Sequence, residues 1–310
     1  MASIREIDPE RDAAGVVELV READPYAVVT DDSWRHRAAT VPAGAEPRGL
    51  VAEDHGRVVG TASALRAFWG SGDGVSVGVT VTRTMRRRGI GGALYETLAP
   101  HVERLGGGAV YVSFFESEDG MRFAAARGFQ ALRAEAVSVL DPRSVAEHAP
   151  AEVDVRPVRD VDPRTVYRLD LAATVDMPSA EPAAHYTYDE WWPHVLGYPL
   201  LTVDGSFVAF SDGEPAALSL LTVDGAGRAS NMFTGSLPAF RGRGLAFAAK
   251  LASTRWAAAH GVTRISTHND ETNAPMLAIN RRLGYRVVGR RLEWVRAETA
   301  SSPARRAPAT

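Results

Sequence analysis

The stretch RTMRRRGIGGALYET (residues 83–97) returns in altered form as PAFRGRGLAFAAK (238–250), so that Arg241 follows Arg86 at an offset of 155 residues. Each copy sets arginines and glycines directly against the start of a helical run. Two copies at a domain-sized spacing mean a chain built twice, and 310 residues leave room for two units that each bury a core.

The flanking patterns agree with duplication. In the first half DAAGVVELVREAD (12–24) has helical spacing, and GLVAEDHGRVVGTASALRAFW (49–69) is a hairpin around an Asp-His-Gly turn. Valines alternate at 75, 77, 79 and 81, the mark of a strand with one buried face. A helix from about Gly91 to Leu105 is stopped by glycines 106 to 108, and the strand AVYVSFF, a short helix and RGFQ follow. The second half repeats the order: helices in DPRTVYRLDLAATVDM and TYDEWWPHVLG, three strands joined by Asp-Gly turns, a helix ended by Gly261, then strand VTRISTH, helix APMLAINRRLG and strand YRVVGRRLEWVR. The expected organisation is an N-terminal domain over 1–140, a linker over 141–155, a C-terminal domain over 156–296 and a disordered tail over 297–310.

The overall charge of −3 gives no general reason to hold nucleic acid or an anionic membrane, so an anion site has to be local. Zero cysteines remove disulfides, thiolate metal sites and thiol nucleophiles; no metal is expected, and a reducing cytoplasm fits. The N-terminus MASIREIDPERD carries charge where a signal peptide needs apolar residues, and no run of 18 apolar residues follows, so a cytoplasmic protein without a membrane segment is expected.

The duplicated stretch has a direct chemical reading. The first amides of a helix lack internal partners and carry the positive end of its dipole, which suits a phosphate. Gly89 and Gly91, or Gly244 with Ala246, keep side chains out of its way, while Arg86, Arg88, Arg241 and Arg243 add charge. A nucleotide-triphosphate loop would need Gly-Lys-Ser/Thr, and a dinucleotide fingerprint a third glycine where Leu94 and Phe247 stand. Neither alternative fits.

On these residues the chain resembles the GCN5-related N-acetyltransferases. Their pattern (Gln/Arg)-x-x-Gly-x-(Gly/Ala) after a strand is similar to Arg86, Gly89 and Gly91, and again to Arg241, Gly244 and Ala246; Pro238 and the stretch NAPMLAINRRLGY (273–285) match further family features. The resemblance implies an α/β fold of two tandem units, each with a mixed, mostly antiparallel central sheet flanked by helices. The tandem arrangement is similar in architecture to mycothiol synthase, which carries no implication about substrate.

It also implies acetyl-CoA, held along one strand and at the helix amides. Carried onto this sequence, the second site comprises Thr234, Gly235, Ser236, Leu237, Arg241, Gly242, Arg243, Gly244, Leu245, Ala246, Asn273 and Asn280, and the first Val79, Val81, Arg86, Arg88, Gly89, Gly91 and Gly92. Counting from Asn273, the family's base and acid places hold His268 and Asn280; a histidine can serve as base near neutrality, and solvent or Tyr285 is the substitute acid. The first half holds Ser117, Val112 and Ala124 at the corresponding places, so chemistry is expected in the C-terminal half, unless Glu53 or Asp54 supplies a carboxylate to the first. Acidic and aromatic residues share 176–194, which suits either a cationic acceptor or a core-facing helix. The expected activity is N-acetylation of a primary amine on a small molecule; a protein or peptide acetyltransferase and a non-catalytic acyl-CoA-binding protein are the alternatives.

Overall fold

The computed structural model describes residues 2–68, 74–106, 108–145, 153–175, 177–178 and 186–297. The centre of the expected linker (146–152), nearly all of the expected tail (298–310), Asp176 and Glu181 lie outside the described residues.

One sequence of elements occurs twice. The first half runs β1 (Ser3–Glu6), α1 (Pro9–Ala23), α2 (Asp31–Thr40), β2 (Arg48–Asp54), β3 (Arg57–Arg66), β4 (Val75–Val81), α3 (Ile90–Leu105), β5 (Ala109–Phe115), α4 (Glu118–Ala125) and β6 (Gln130–Leu140). The second runs β7 (Asp154–Pro157), α5 (Pro163–Thr174), α6 (Tyr188–Trp191), β8 (Phe207–Ser211), β9 (Glu214–Val223), β10 (Arg228–Ser236), α7 (Leu245–Ala259), β11 (Arg264–Asp270), α8 (Ala274–Leu283) and β12 (Arg286–Ala297). Local chemistry sets the ends. Asp8 caps α1 by accepting from the amides of Glu10 and Arg11, Thr30 and Ser33 form a capping box on α2, and Ser117 and Asn273 cap α4 and α8.

All twelve strands join in one sheet, ordered β1-β2-β3-β4-β5-β12-β6-β11-β10-β9-β8-β7. The two halves exchange their last strands. β12 enters between β5 and β6 of the first half, with Leu292 opposite Phe114 and Ala134, and β6 pairs with β11, with Val137 opposite His268. Gly289 is where the sheet needs no side chain, because a Cβ there would strike the Phe115 ring.

Among the described residues only β4–β5 and β10–β11 pair in parallel, and both pairs part early: Val77 with Val112 and Ser230 with Ser266 are the last partners. Beyond them the strands splay. The edges of β4 from Gly78 to Val81 and of β10 from Asn231 to Ser236 have no strand opposite on that side.

Each half has its own apolar packing. Leu94 and Leu98 of α3 sit fully buried against β2, β3 and β5, where truncation to Ala costs about 2–5 kcal/mol. In the second half β9 is buried along nearly its whole length, covered by α5 and α7. The aromatics of 186–192 are absorbed into packing except Trp192, which is exposed: Tyr167 meets Tyr188 and Trp191 edge-on at 5.6 and 5.4 Å, and Trp191 Nε1–H donates to the buried Asp170 carboxylate at 2.7 Å. Burial pushes Asp170 up to about 6 despite that hydrogen bond. Asp189 and Glu190 stay exposed, Glu190 closing a capping box with Thr187.

Candidate active site

The two arginine-glycine loops fold alike. In each, one 3-10 turn, Arg83–Met85 or Pro238–Phe240, leads to an extended arginine, Arg86 (φ −64°) or Arg241 (φ −66°). A left-handed residue follows, Arg87 (φ 61°) or Gly242 (φ 77°), and the helix is capped by left-handed Gly89 (φ 83°) or Gly244 (φ 79°). The helical ladders begin with Ala93 N–H to Gly89 C=O and Ala248 N–H to Gly244 C=O, both 2.9 Å. The amides of Ile90, Gly91 and Gly92, and of Leu245, Ala246 and Phe247, therefore precede the first intrahelical bond and point out of the helix end.

The halves differ in what surrounds these amides. A cleft of about 1190 Å³ opens from the first loop. It is lined by Arg86, Arg87 and Gly89 to Gly92 of the loop, by Val79, Val81, Ser113 and Phe115 of β4 and β5, and by Trp34, Tyr198, Met232 and His268. Ligand pockets commonly span about 300–1,000 Å³, so this cleft lies just past the large end of that range. Its shape depends on small residues, since a Cβ on Gly91 would come within 3.3 Å of Phe123 and one on Gly92 within 3.4 Å of Arg127. Arg88 is exposed beside the loop, Arg86 Nε donates to the Val81 carbonyl at 3.0 Å, and Arg127 lies 3.6 Å over the Phe123 ring.

Around the second loop, Arg243 lies over Phe240, and Arg282 lies 3.9 Å over the ring of Phe247, the residue that replaces Gly92. Thr234 Oγ1 donates to Asn231, Gly235 packs beside Phe233 and Ala173, Ser236 ends β10, and the amide of Leu237 bonds to the carbonyl of Ala216. Below the splay, Lys250 is fully buried and donates to Asn280 Oδ1 at 2.7 Å, while Asn280 Nδ2 donates to Asn269 at 2.7 Å. The acid place named by the resemblance thus holds an amide locked between two partners. Tyr285 packs in the core beneath Lys250, whose Nζ is 4.9 Å from its ring centre, and burial pushes its phenol far above the ordinary range. Asn273 is spent on capping α8, accepting from Met276 N–H at 3.2 Å.

His268 stands apart from these residues and faces the other half. It lies on β11 next to exchanged strand β6, lines the cleft that begins at Gly89, and meets Glu135 through Nδ1 at 2.8 Å. Glu53, by contrast, is bound by Arg5 and Arg11 away from the cleft. Several cleft residues escape the sequence reading, Tyr26 and Trp34 near α1 and α2 and Arg122 and Arg127 near α4, as does Glu135 on β6, which touches the cleft-lining His268. Only Arg127, directly before the Gly128-Phe129 pair, stands next to a readable motif.

A family model described as the acetyltransferase (GNAT) family matches residues 14–129 and again 166–285. The chain belongs to the GNAT acetyltransferase family. It is a tandem member and an acyl-CoA-dependent acyltransferase, as the family's chemistry dictates. No curated protein matches the sequence. Among solved structures it is similar to a tandem GNAT protein from the clavulanic acid biosynthesis pathway, with TM-score 0.74 and 18% identity over 97% of this chain and 100% of that one. A GCN5-related N-acetyltransferase from Sphaerobacter thermophilus gives 0.68 and 19% over 96% and 95%. Saccharomyces cerevisiae N-myristoyltransferase with bound myristoyl-CoA gives 0.63 and 11% over 95% and 78%. At these identities the likeness is one of fold. Among the described residues no helix is long and apolar enough to cross a membrane.

Proposed function

We propose that this GNAT protein acetylates a primary amine of a small molecule in the cleft shared by its two halves, with the first loop receiving acetyl-CoA and His268 acting as base. The units read from the sequence, 1–140 and 156–296, then work as one enzyme rather than as a dead and a live copy. The observation that carries this reading is the continuous lining from Gly89–Gly92 to His268.

The residues present fit the cofactor. Free amides of Ile90 to Gly92, Arg86 and Arg87 suit its diphosphate, and the unpaired edge of β4 beyond Val77 suits its amide-bearing arm. Arg87 adds support, because a non-glycine residue held at φ 61° costs about 1 kcal/mol or more where the second copy uses Gly242. When bound, acetyl-CoA supplies a thioester carbonyl open to attack. His268 removes the proton that the amine must lose, and water in the cleft returns one to the leaving thiolate. A cleft closed on one side by α2 and the loop before it favours small acceptors over an extended chain.

A second reading keeps the chemistry in the C-terminal half. Its specific support is the second loop, where Gly242, Gly244 and Ala246 reproduce the same backbone path. Release of CoA thiol from acetyl-CoA with a panel of small primary amines and short peptides tests the main reading. The expected result is turnover with small amines and a loss of about 10²–10⁴-fold in His268→Gln. Undiminished turnover in that variant removes His268 from the mechanism.

A further inference from the structure

The geometry points to Glu135 as a positioning residue that the strand exchange brings to His268, fixing the imidazole so that Nε2 is the nitrogen offered to the acceptor amine. This rests on His268 as base, the reading given above.

Glu135 lies on β6, which belongs to the first half in sequence and to the second half's sheet in space. Its two oxygens are divided: Oε2 faces His268 Nδ1 at 2.8 Å, and Oε1 accepts from Arg133 Nη2 at 2.9 Å. Arg133 is itself clamped, with Nη1 on Asp270 at 3.0 Å and Nε on Glu293 of β12. The carboxylate thus cannot swing away without breaking a network spread over β6, β11 and β12. Its side chain is 17% exposed and that of His268 is 51% exposed, so the pair has a fixed inner end and a solvent-facing outer end.

The protonation logic follows from the carboxylate. Burial works against its charge, but the hydrogen bond and charge of His268 together with Arg133 and Arg291 outweigh that and hold Glu135 down at about 2. At any working pH it is an ion and accepts only, so the ring nitrogen facing it must carry the proton. A neutral His268 then has its lone pair on Nε2, the nitrogen turned away from Glu135. Arg291, the other cation acting on Glu135, is paired with Asp24 at the end of α1, and Glu135 is the hydrogen-bond partner of His268 Nδ1 among the described residues.

The test reads the histidine itself and needs no acceptor. In protein labelled with ¹⁵N-histidine, long-range ¹H–¹⁵N spectra identify which ring nitrogen of His268 is protonated, and His268→Gln assigns the signal. The expected result is Nδ1–H in the neutral form. In Glu135→Gln, whose side chain can donate as well as accept, the preference of the neutral ring for Nδ1–H is lost, and Glu135→Asp restores it. A neutral form protonated on Nε2, or an unchanged Nδ1–H preference in Glu135→Gln, overturns the inference. Turnover separates it from the reading beneath it. If His268→Gln impairs thiol release while Glu135→Gln adds nothing in that background and costs at least several-fold alone, the coupling stands. Additive losses from the two substitutions contradict it, because residues acting through one another are not additive.

Discussion

Gly89 and Gly244 cap their helices at nearly the same left-handed angle, φ 83° and 79°, yet Gly89 borders the 1190 Å³ cleft and Gly244 does not. Identical loop geometry therefore does not make the two copies equivalent. What differs is what lies behind the loop: the cleft opens past β4, while in the second half Phe247, covered by Arg282, stands in the place of Gly92. One loop opens onto the cleft that the proposed reaction uses.

The exchange of β6 and β12 binds the halves through strand pairs as well as through the chain. With a protease site inserted between residues 145 and 153, cleavage should leave both fragments together in gel filtration, since β12 pairs with β5 and β6 with β11. Separation after cleavage at neutral pH, without denaturant, would contradict the observed pairing.

Lys250 gives a pH signature of stability. Burial, with no carboxylate among its described partners, pulls its ammonium down to about 7. An unfolded lysine keeps its proton to about pH 10, so between about 7 and 10 the unfolded chain holds more protons and stability rises with pH. Below that window the full cost of the buried charge is present. The slope approaches about 1.4 kcal/mol per pH unit for this one group. Chemical denaturation at pH 7, 8 and 9 should show the rise in wild type and its loss in Lys250→Met, which fills similar volume without a charge. An identical slope in both proteins would mean that another group titrates.

The duplication, most of the order of strands and helices and both loops were legible in the sequence, because periodicity and turn residues are local; β1, β7 and α2 were not, and α6 is shorter than its sequence pattern. The partner of each terminal strand was not. QALRAEAVSVL and RVVGRRLEWVR carry similar alternating patterns, and either could close either half by local criteria. That ambiguity hid the most consequential contact: His268 and Glu135 are 133 residues apart, and only the β6–β11 pairing makes them neighbours. Counting from the Asn273 motif led to His268 but assigned it to the loop of its own half. The aromatics of 186–192 were readable as either acceptor contacts or core, and packing around Trp191 absorbed Tyr186 and Tyr188 while Trp192 stays exposed.

The most direct measurement is a calorimetric titration of acetyl-CoA into wild type, Gly89→Asp and Gly244→Asp, paired with thiol-release turnover of each. Aspartate tolerates a left-handed backbone better than most residues and sets a carboxylate at the mouth of the helix, against the diphosphate. Binding weakened at least ten-fold and turnover lost in Gly89→Asp, with turnover largely kept in Gly244→Asp, is the expected result. Turnover lost in Gly244→Asp and kept in Gly89→Asp would return the chemistry to the C-terminal half and contradict the shared cleft.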